Sequence, residues 1–309
     1  MTSRDRGDEP PGARRAGMLW AALAAPGAVW LLVLFVVPFY AVLAIAGGQI
    51  SPILESIVPE WNPLRWRSSN AVGAWRDVVG STAFVGPVLV RTVLYVAAAS
   101  AISLVIAYPV AYFVTRFGGR RKGMFLAMLI APFWISYMMR MLAWIDLLQT
   151  DGYVNRVLMS LHLVNQPVDW LGGQSSTVVL GLVYGYIPYL ILVLYSGIDR
   201  IDPRLLEAGR DLGLSKWRTF VRVTVPLSRQ SIVTGMLITV LPMFGDYFTN
   251  QMLSGAAGTS MIGNVIDGQL TTSSLEGQGA VMSLALLAVL LAPMLAYAVS
   301  TARASLESA

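Results

Sequence analysis

Six stretches of mostly apolar residues constrain this chain more than any other feature, running near 18–46, 87–115, 124–148, 176–197, 229–253 and 279–301. An α-helix rises about 1.5 Å per residue and a bilayer's hydrocarbon core is about 30 Å thick, so roughly 20 apolar residues suffice to cross it. Inside lipid every backbone N–H and C=O needs an internal partner, which leaves the helix as the form such segments take. The expected fold is an all-α membrane protein with six transmembrane helices. Charged residues make up 13% of the 309 residues, against about 25% in soluble domains. Every span contains proline: Pro26 and Pro38, Pro109, Pro132, Pro188, Pro242 and Pro293. Neighbouring groups in a membrane bundle re-satisfy the carbonyls that proline frees, so kinked helices are expected rather than broken ones.

The connections alternate in charge. The N-terminal segment carries Arg4, Arg6, Arg14 and Arg15; the second connection carries Arg116, Arg120, Arg121 and Lys122; the fourth carries Arg200, Arg204, Arg210, Lys216, Arg218 and Arg222. The intervening connections balance their cations with acids or, at 254–278, contain none. By the positive-inside rule both termini are expected in the cytoplasm of a bacterial cell, in its inner membrane. Residues 1–17 read as a polar, disordered tail, 18–303 as the membrane domain and 304–309 as a second short tail. The run from Met18 is too long for a signal peptide's apolar region, so it reads as a retained span. Trp61, Trp66 and Trp75 lie in the long external 47–86 segment, which suits either an interfacial belt or a docking surface for an external partner.

Several chemistries are excluded. With no cysteine and a single histidine, His162, thiolate sites, disulfides and His-rich metal centres are out. No glycine-rich phosphate loop ending in Lys-Ser/Thr is present, so no nucleotide hydrolysis, catalytic residue or cofactor is expected. The net charge of +5 comes from short segments between apolar runs, which argues for orientation in a lipid bilayer and against nucleic-acid binding.

The fourth connection, 198–228, carries the most specific signal. Asp202 suits a helix N-cap and Pro203 the first turn. Leu205, Ala208, Gly209 and Leu212 then recur at helical spacing, and Gly213 provides a left-handed stop. Ser215 can start a second short helix with Trp217, Phe220 and Val221 on one face, ahead of Pro226. Two short helices joined at a glycine form either a rigid knob for a soluble partner or an amphipathic element on the inner leaflet. Ala208 and Gly209 would let another backbone approach, and Glu207, Arg210 and Asp211 would pair with its charges.

Glu207-Ala208-Gly209, three residues, Gly213, nine residues and Val223-Thr224-Val225-Pro226 together resemble the EAA loop of binding-protein-dependent ABC importer permeases. The departures, Gly209 for Ala, Val223 for Ile and Val225 for Leu, keep each position small or aliphatic. Ala131-Pro132-Phe133-Trp134-Ile135 with Arg140, Asp151-Gly152-Tyr153-Val154-Asn155, Gly181-Leu182-Val183-Tyr184 with Pro188, and Met261-Ile262-Gly263-Asn264-Val265-Ile266 are similar to the first permease subunit of spermidine/putrescine importers. The resemblance implies a type I importer permease that moves a small solute, of polyamine type, by alternating access. Its partners would be two copies of an ABC ATPase subunit, a second permease and a periplasmic or extracellular solute-binding protein. Glu207, Ala208, Gly209, Arg210, Asp211, Gly213 and Pro226 would form the ATPase-coupling element. Another solute of the same superfamily, or a stand-alone secondary transporter or channel, is the alternative.

Four charges lie in or near the spans: Arg91, Arg140, Asp146 and Asp246. A charge at mid-bilayer costs at least about 2.5–3.5 kcal/mol, so such side chains face a partner or water. Arg91, near the start of its span, can snorkel outward. Arg140 and Asp146 fall about 240° apart around a helix and are not expected to pair. Asp246 lies in Pro242-Met243-Phe244-Gly245-Asp246-Tyr247-Phe248, where an irregular helix is expected. Two readings stand: Asp246 lines the translocation path with Tyr247 and Trp144, near Arg140 and Asp146, and meets a cationic solute, or it pairs with Arg140 and holds helices together.

Overall fold

A computed structural model of the chain describes residues 11–50, 57–66, 71–76, 82–273 and 275–307. The helices are α1 (Pro11–Ala46), α2 (71–76), α3 (Thr82–Phe117), α4 (Lys122–Ile130), α5 (Tyr137–Leu148), α6 (Tyr153–Ser160), α7 (Ser175–Asp199), α8 (Pro203–Asp211), α9 (Lys216–Thr219), α10 (Val225–Leu227), α11 (Arg229–Phe244), α12 (Phe248–Leu253), α13 (Ile262–Thr271) and α14 (Glu276–Glu307). One antiparallel pair of two-residue strands, β1 (Gln49–Ile50) and β2 (Ile57–Val58), is the exception to an all-helical chain among the described residues. Both terminal helices reach into segments read as tails. α1 starts at Pro11, a residue that favours first turns, and α14 continues to Glu307 through good helix formers. Residues 1–10 of the first tail lie outside the described residues.

Four helical stretches are long and apolar enough to cross a membrane: Ala22–Ala46, Val85–Phe117, Ser175–Asp199 and Glu276–Arg303. The third span is not the kinked but unbroken helix expected at 124–148, and the fifth is interrupted within 242–248, where an irregular helix was expected. In the third, Gly119–Trp134 and Tyr137–Ser160 meet at 88°. Pro132 enters a 3₁₀ turn over Ala131–Trp134, Ile135 is extended, and the Ser136 hydroxyl caps α5 by accepting from the Met139 N–H. Lys216–Leu227 and Arg229–Phe244 meet at 64° about Ser228, where the fourth connection enters the fifth span. α11 then ends two residues after Pro242, and Gly245–Tyr247 separate it from α12. The described helices give four crossings, or six if each bent pair is one.

The chain divides into two compact units. In Met1–Arg76 with Leu270–Leu284, Ala46, Ala280 and Val281 form a small core with Val42, Ile45, Ala71 and Ala74 against them. Tyr40 packs on Trp61 and Trp66, and the Trp66 Nε1–H donates to the Glu60 carbonyl at 2.6 Å. Trp66 is thus structural, while Trp61 and Trp75 stay exposed. In Asp77–Gln269 with Ala285–Ala309, the core is α3, α7 and α11. Ala99, Ser103, Ala107 and Ala111 recur every fourth residue on the buried face of α3. Small residues at that spacing let membrane helices approach, and α7 answers with Leu182, Leu190, Leu194 and Ile198.

Two polar side chains hold connections in place. Arg91, near the start of α3, reaches into the 254–278 connection: its Nε donates to the Ser260 carbonyl at 2.8 Å, and its Nη atoms reach Gly258 and Ala257. Three carbonyls of one turn suit a guanidinium's fork of donors. Asn155 is fully buried beneath the 149–175 segment. Its Nδ2 donates to the carbonyls of Gln149, Thr150 and Val168, and its Oδ1 accepts from the Val168 N–H and the Trp170 Nε1–H.

Candidate functional site

Two places on the chain concentrate the residues singled out above. The first is the segment from Asp202 to Ser228. The Asp202 carboxylate accepts from the Arg204 N–H at 2.9 Å, and Pro203 opens α8. At its far end Gly213 has φ +86°, with the Gly213 N–H on the Arg210 carbonyl and the Leu214 N–H on the Gly209 carbonyl. This is the Schellman arrangement, which requires the left-handed conformation that glycine adopts freely. Ser215 then caps α9, and a π-helical turn over Phe220–Thr224 leads into α10 and Pro226.

Leu206 and Gly209 point inward, whereas Leu205, Ala208 and Leu212 are exposed, Leu212 at 86%. A Cβ on Gly209 would meet Val223, Leu214 and Thr219 at ordinary contact distances of 3.5–3.7 Å. Gly209 therefore packs within the loop and does not offer its surface to a partner backbone. Glu207, Ala208, Arg210, Asp211, Gly213 and Pro226 are exposed. Trp217, 71% exposed, stacks on Phe220.

This segment is braced against α3. Phe220 sets its ring edge-on to Tyr108 and Tyr112, at 5.5 and 5.2 Å between centroids. The Tyr108 hydroxyl bonds the Ser228 hydroxyl at 2.7 Å, and Arg116 donates to the carbonyls of Ile198 and Ile201. Lys122 and Asp199 form an ion pair at 2.6 Å. A displacement of α8 and α9 would thus reach α3 through packed aromatic rings.

The second place surrounds Asp246, which is 7% exposed. Its Oδ1 accepts from the Thr249 N–H at 2.9 Å, and its Oδ2 accepts from the Thr249 hydroxyl at 2.6 Å and the Tyr186 hydroxyl at 3.2 Å. The Tyr137 hydroxyl lies 3.3 Å from Oδ2 and also contacts the Thr249 oxygen, so its one proton is shared. Asp246 also holds the start of α12, where a carboxylate faces free N–H groups. With Tyr137, Gly185, Tyr186, Tyr189, Pro242, Gly245, Tyr247 and Phe248 it lines a cavity of about 320 Å³. Gly185 makes room for this arrangement: a Cβ there would stand 2.9 Å from the Tyr137 hydroxyl oxygen.

Arg140 is close by but forms no ion pair with Asp246, which removes the pairing considered above. Its guanidinium carbon lies 4.2 Å from the Phe133 ring centroid, 5.1 Å from Tyr137 and 5.9 Å from Tyr184. Trp144 packs edge-on to Tyr184 and belongs to this aromatic group, not to the lining of the Asp246 cavity. Asp146 is exposed further along α5 and accepts from Gln149. The structure therefore brings Asp246 and Tyr247 together and sets Arg140, Trp144 and Asp146 outside their cavity. Sequence reasoning missed Tyr137, Tyr186 and Thr249. Thr249 had a signal, since an acid three residues before a polar residue at a helix start often caps it; the tyrosines come from other helices.

The sequence profile described as binding-protein-dependent transport system inner membrane component matches residues 16–305. The chain belongs to this family. The permease is 36% identical over 194 residues to the spermidine/putrescine transport system permease protein PotB of Salmonella typhimurium (strain SL1344), covering 63% of this chain and 67% of that one. PotB of Escherichia coli (strain K12) is likewise 36% identical over 194 residues, covering 63% of this chain and 70% of that one. A solved chain from a bacterial ABC transporter involved in the import of the acidic polysaccharide alginate aligns with a TM-score of 0.68 at 18% identity, covering 94% of this chain and 96% of that one. That likeness concerns the fold. This protein is an inner-membrane permease of an ABC importer.

Proposed function

We propose that this permease forms one half of the translocation path of a polyamine importer, with both termini in the cytoplasm, and that Asp246 contacts the cationic solute on its way through. The observation that carries the reading is a buried carboxylate opening on a cavity of about 320 Å³ lined by Tyr137, Tyr186, Tyr189, Tyr247 and Phe248. A carboxylate supplies charge attraction and aromatic faces supply cation–π contacts, which together suit an ammonium group. The likeness to the PotB permeases supports the same class of solute. The cations concentrated in alternate connections support the orientation.

In this reading two copies of an ATPase subunit supply the work, a second permease completes the path, and an external binding protein delivers the solute. Glu207, Ala208, Arg210 and Asp211 present the docking face to the ATPase, with Gly209, Gly213 and Pro226 shaping the loop. Asp246→Asn, reconstituted with the partner subunits, should lower labelled putrescine uptake about tenfold, the loss expected when one charge-assisted contact is removed. Wild-type uptake by an assembled Asp246→Asn transporter would sink the assignment.

The frame by itself does not name the solute. A similar fold serves the import of an acidic polysaccharide in the alginate transporter. Fold therefore does not fix the solute, and the residues at the cavity must. Competition of labelled putrescine uptake by neutral and anionic solutes separates the two: inhibition by amines alone supports the polyamine reading.

A further inference from the structure

Arg140 is more than nine-tenths buried, yet its Nε and Nη1 have no hydrogen-bond partner. Buried polar groups in native proteins are nearly always paired, and a buried charge left without acceptors is the most costly exception. The aromatic seat formed by Phe133, Tyr137 and Tyr184 attracts the guanidinium but leaves Nε and Nη1 without an acceptor. Tyr137 belongs to both charges. Its ring faces Arg140, and its hydroxyl contacts Asp246. A cation with two unpaired nitrogens and a carboxylate supplied with four donor groups are thus separated by one tyrosine.

Both charges also sit at breaks in their helices. Arg140 is on the first turn of α5, just beyond the extended residue Ile135 and the cap Ser136. Asp246 lies between α11 and α12. At such breaks the chain can change direction with little loss of helical hydrogen bonding, so both side chains stand where reorientation is least opposed. Asp146 is no competitor for Arg140, being exposed on a different face of α5.

We propose that Arg140 is a tethered counter-cation for Asp246. When the path reshapes during transport, the guanidinium leaves its aromatic seat, takes the carboxylate and displaces the cationic solute. Asp246 then holds one cation at a time, the solute's ammonium or the guanidinium, and is left alone in neither state. This rests on the reading of Asp246 as a solute contact. Arg140 is a positioning residue in this scheme, since it acts on the solute through Asp246.

The test uses the complete transporter in liposomes with saturating binding protein and labelled putrescine. Variants are Arg140→Gln, Arg140→Met, Arg140→Lys, Asp246→Asn and the double variant Arg140→Gln with Asp246→Asn. Arg140→Gln and Arg140→Met should slow uptake about tenfold, the loss of one charged contact, and should leave putrescine on the solubilised complex after ATP turnover. Arg140→Lys keeps the charge but loses the planar, stacking guanidinium, so its rate should fall between those of Arg140→Gln and the wild type; a rate no higher than that of Arg140→Gln counts against a role for the charge. In the Asp246→Asn background, Arg140→Gln should change nothing further, because the carboxylate it serves is gone. Uptake at the wild-type rate in Arg140→Gln overturns the proposal. So does an equal fractional loss in both backgrounds, or failure of both neutral variants to co-purify with the ATPase subunit, either of which makes Arg140 structural. Wild-type uptake by Asp246→Asn alone overturns the underlying site reading, an outcome distinct from these because it does not involve Arg140.

Discussion

Asp246 draws its environment from three parts of the chain: Tyr137 at the start of α5, Tyr186 on α7 and Thr249 three residues downstream. Gly185 lets α7 lie against Tyr137, since a Cβ would stand 2.9 Å from the hydroxyl oxygen. Gly185→Ala should push that hydroxyl off the carboxylate and remove a hydrogen bond to a charged group, about 1.5–3 kcal/mol. Putrescine uptake should fall about tenfold while the complex still co-purifies, a loss of the size that energy implies. Asn155 offers a contrast, being fully buried with contacts that all run to its own segment. Asn155→Ala leaves several buried groups unpaired and should destabilise the 149–175 segment by about 1–3 kcal/mol. Limited proteolysis would read this as faster cleavage there. Asp246 was legible in the sequence as a lone acid in an apolar span with proline and glycine beside it. Tyr137 and Tyr186 were not, because neither stands near Asp246 in the chain and helix spacing does not reveal which face meets which.

At the scale of elements, the chain's local chemistry set the turns and caps of the 202–228 segment. Asp202, Pro203, Gly213 and Ser215 each occupy the cap or turn position their side chains favour. These effects depend on neighbours a few residues away, so a sequence displays them. The buried face of α8 was not legible for the opposite reason: Leu205 and Leu212 fit a helical stripe, yet the loop folds back on Leu206 and Gly209. Phe220 joins this segment to α3 through Tyr108 and Tyr112. Phe220→Ala removes that brace and should cost about 2 kcal/mol, less than a fully buried aromatic. The expected outcome is ATP hydrolysis that continues while putrescine uptake drops, measured on the same liposomes. Equal loss of both activities would place Phe220 in general stability.

At the scale of the molecule, the uncovered apolar surfaces differ in kind. α1 and α14 leave most of their apolar side chains exposed within the chain, as helices facing lipid or another membrane subunit do. Leu205, Leu212 and Trp217 are exposed beside Glu207, Arg210 and Asp211, a mixed surface outside the spans suited to a soluble partner. Glu207→Lys reverses one charge at that face and should weaken association with the ATPase subunit about tenfold, in keeping with a charged contact at an interface. Membrane insertion should be unchanged. Co-purification at the wild-type ratio would contradict the docking face.

The apolar runs, their lengths and the capping residues were determined by the sequence itself. Transfer of a helix into lipid depends on composition summed along the chain, and caps depend on local geometry. Tertiary structure alone decided that the third span turns through 88° and that Arg140 seats on aromatic rings instead of pairing with Asp246. Hydropathy does not distinguish a straight helix from a bent one of equal apolarity, and a buried charge chooses among partners that only packing brings within reach.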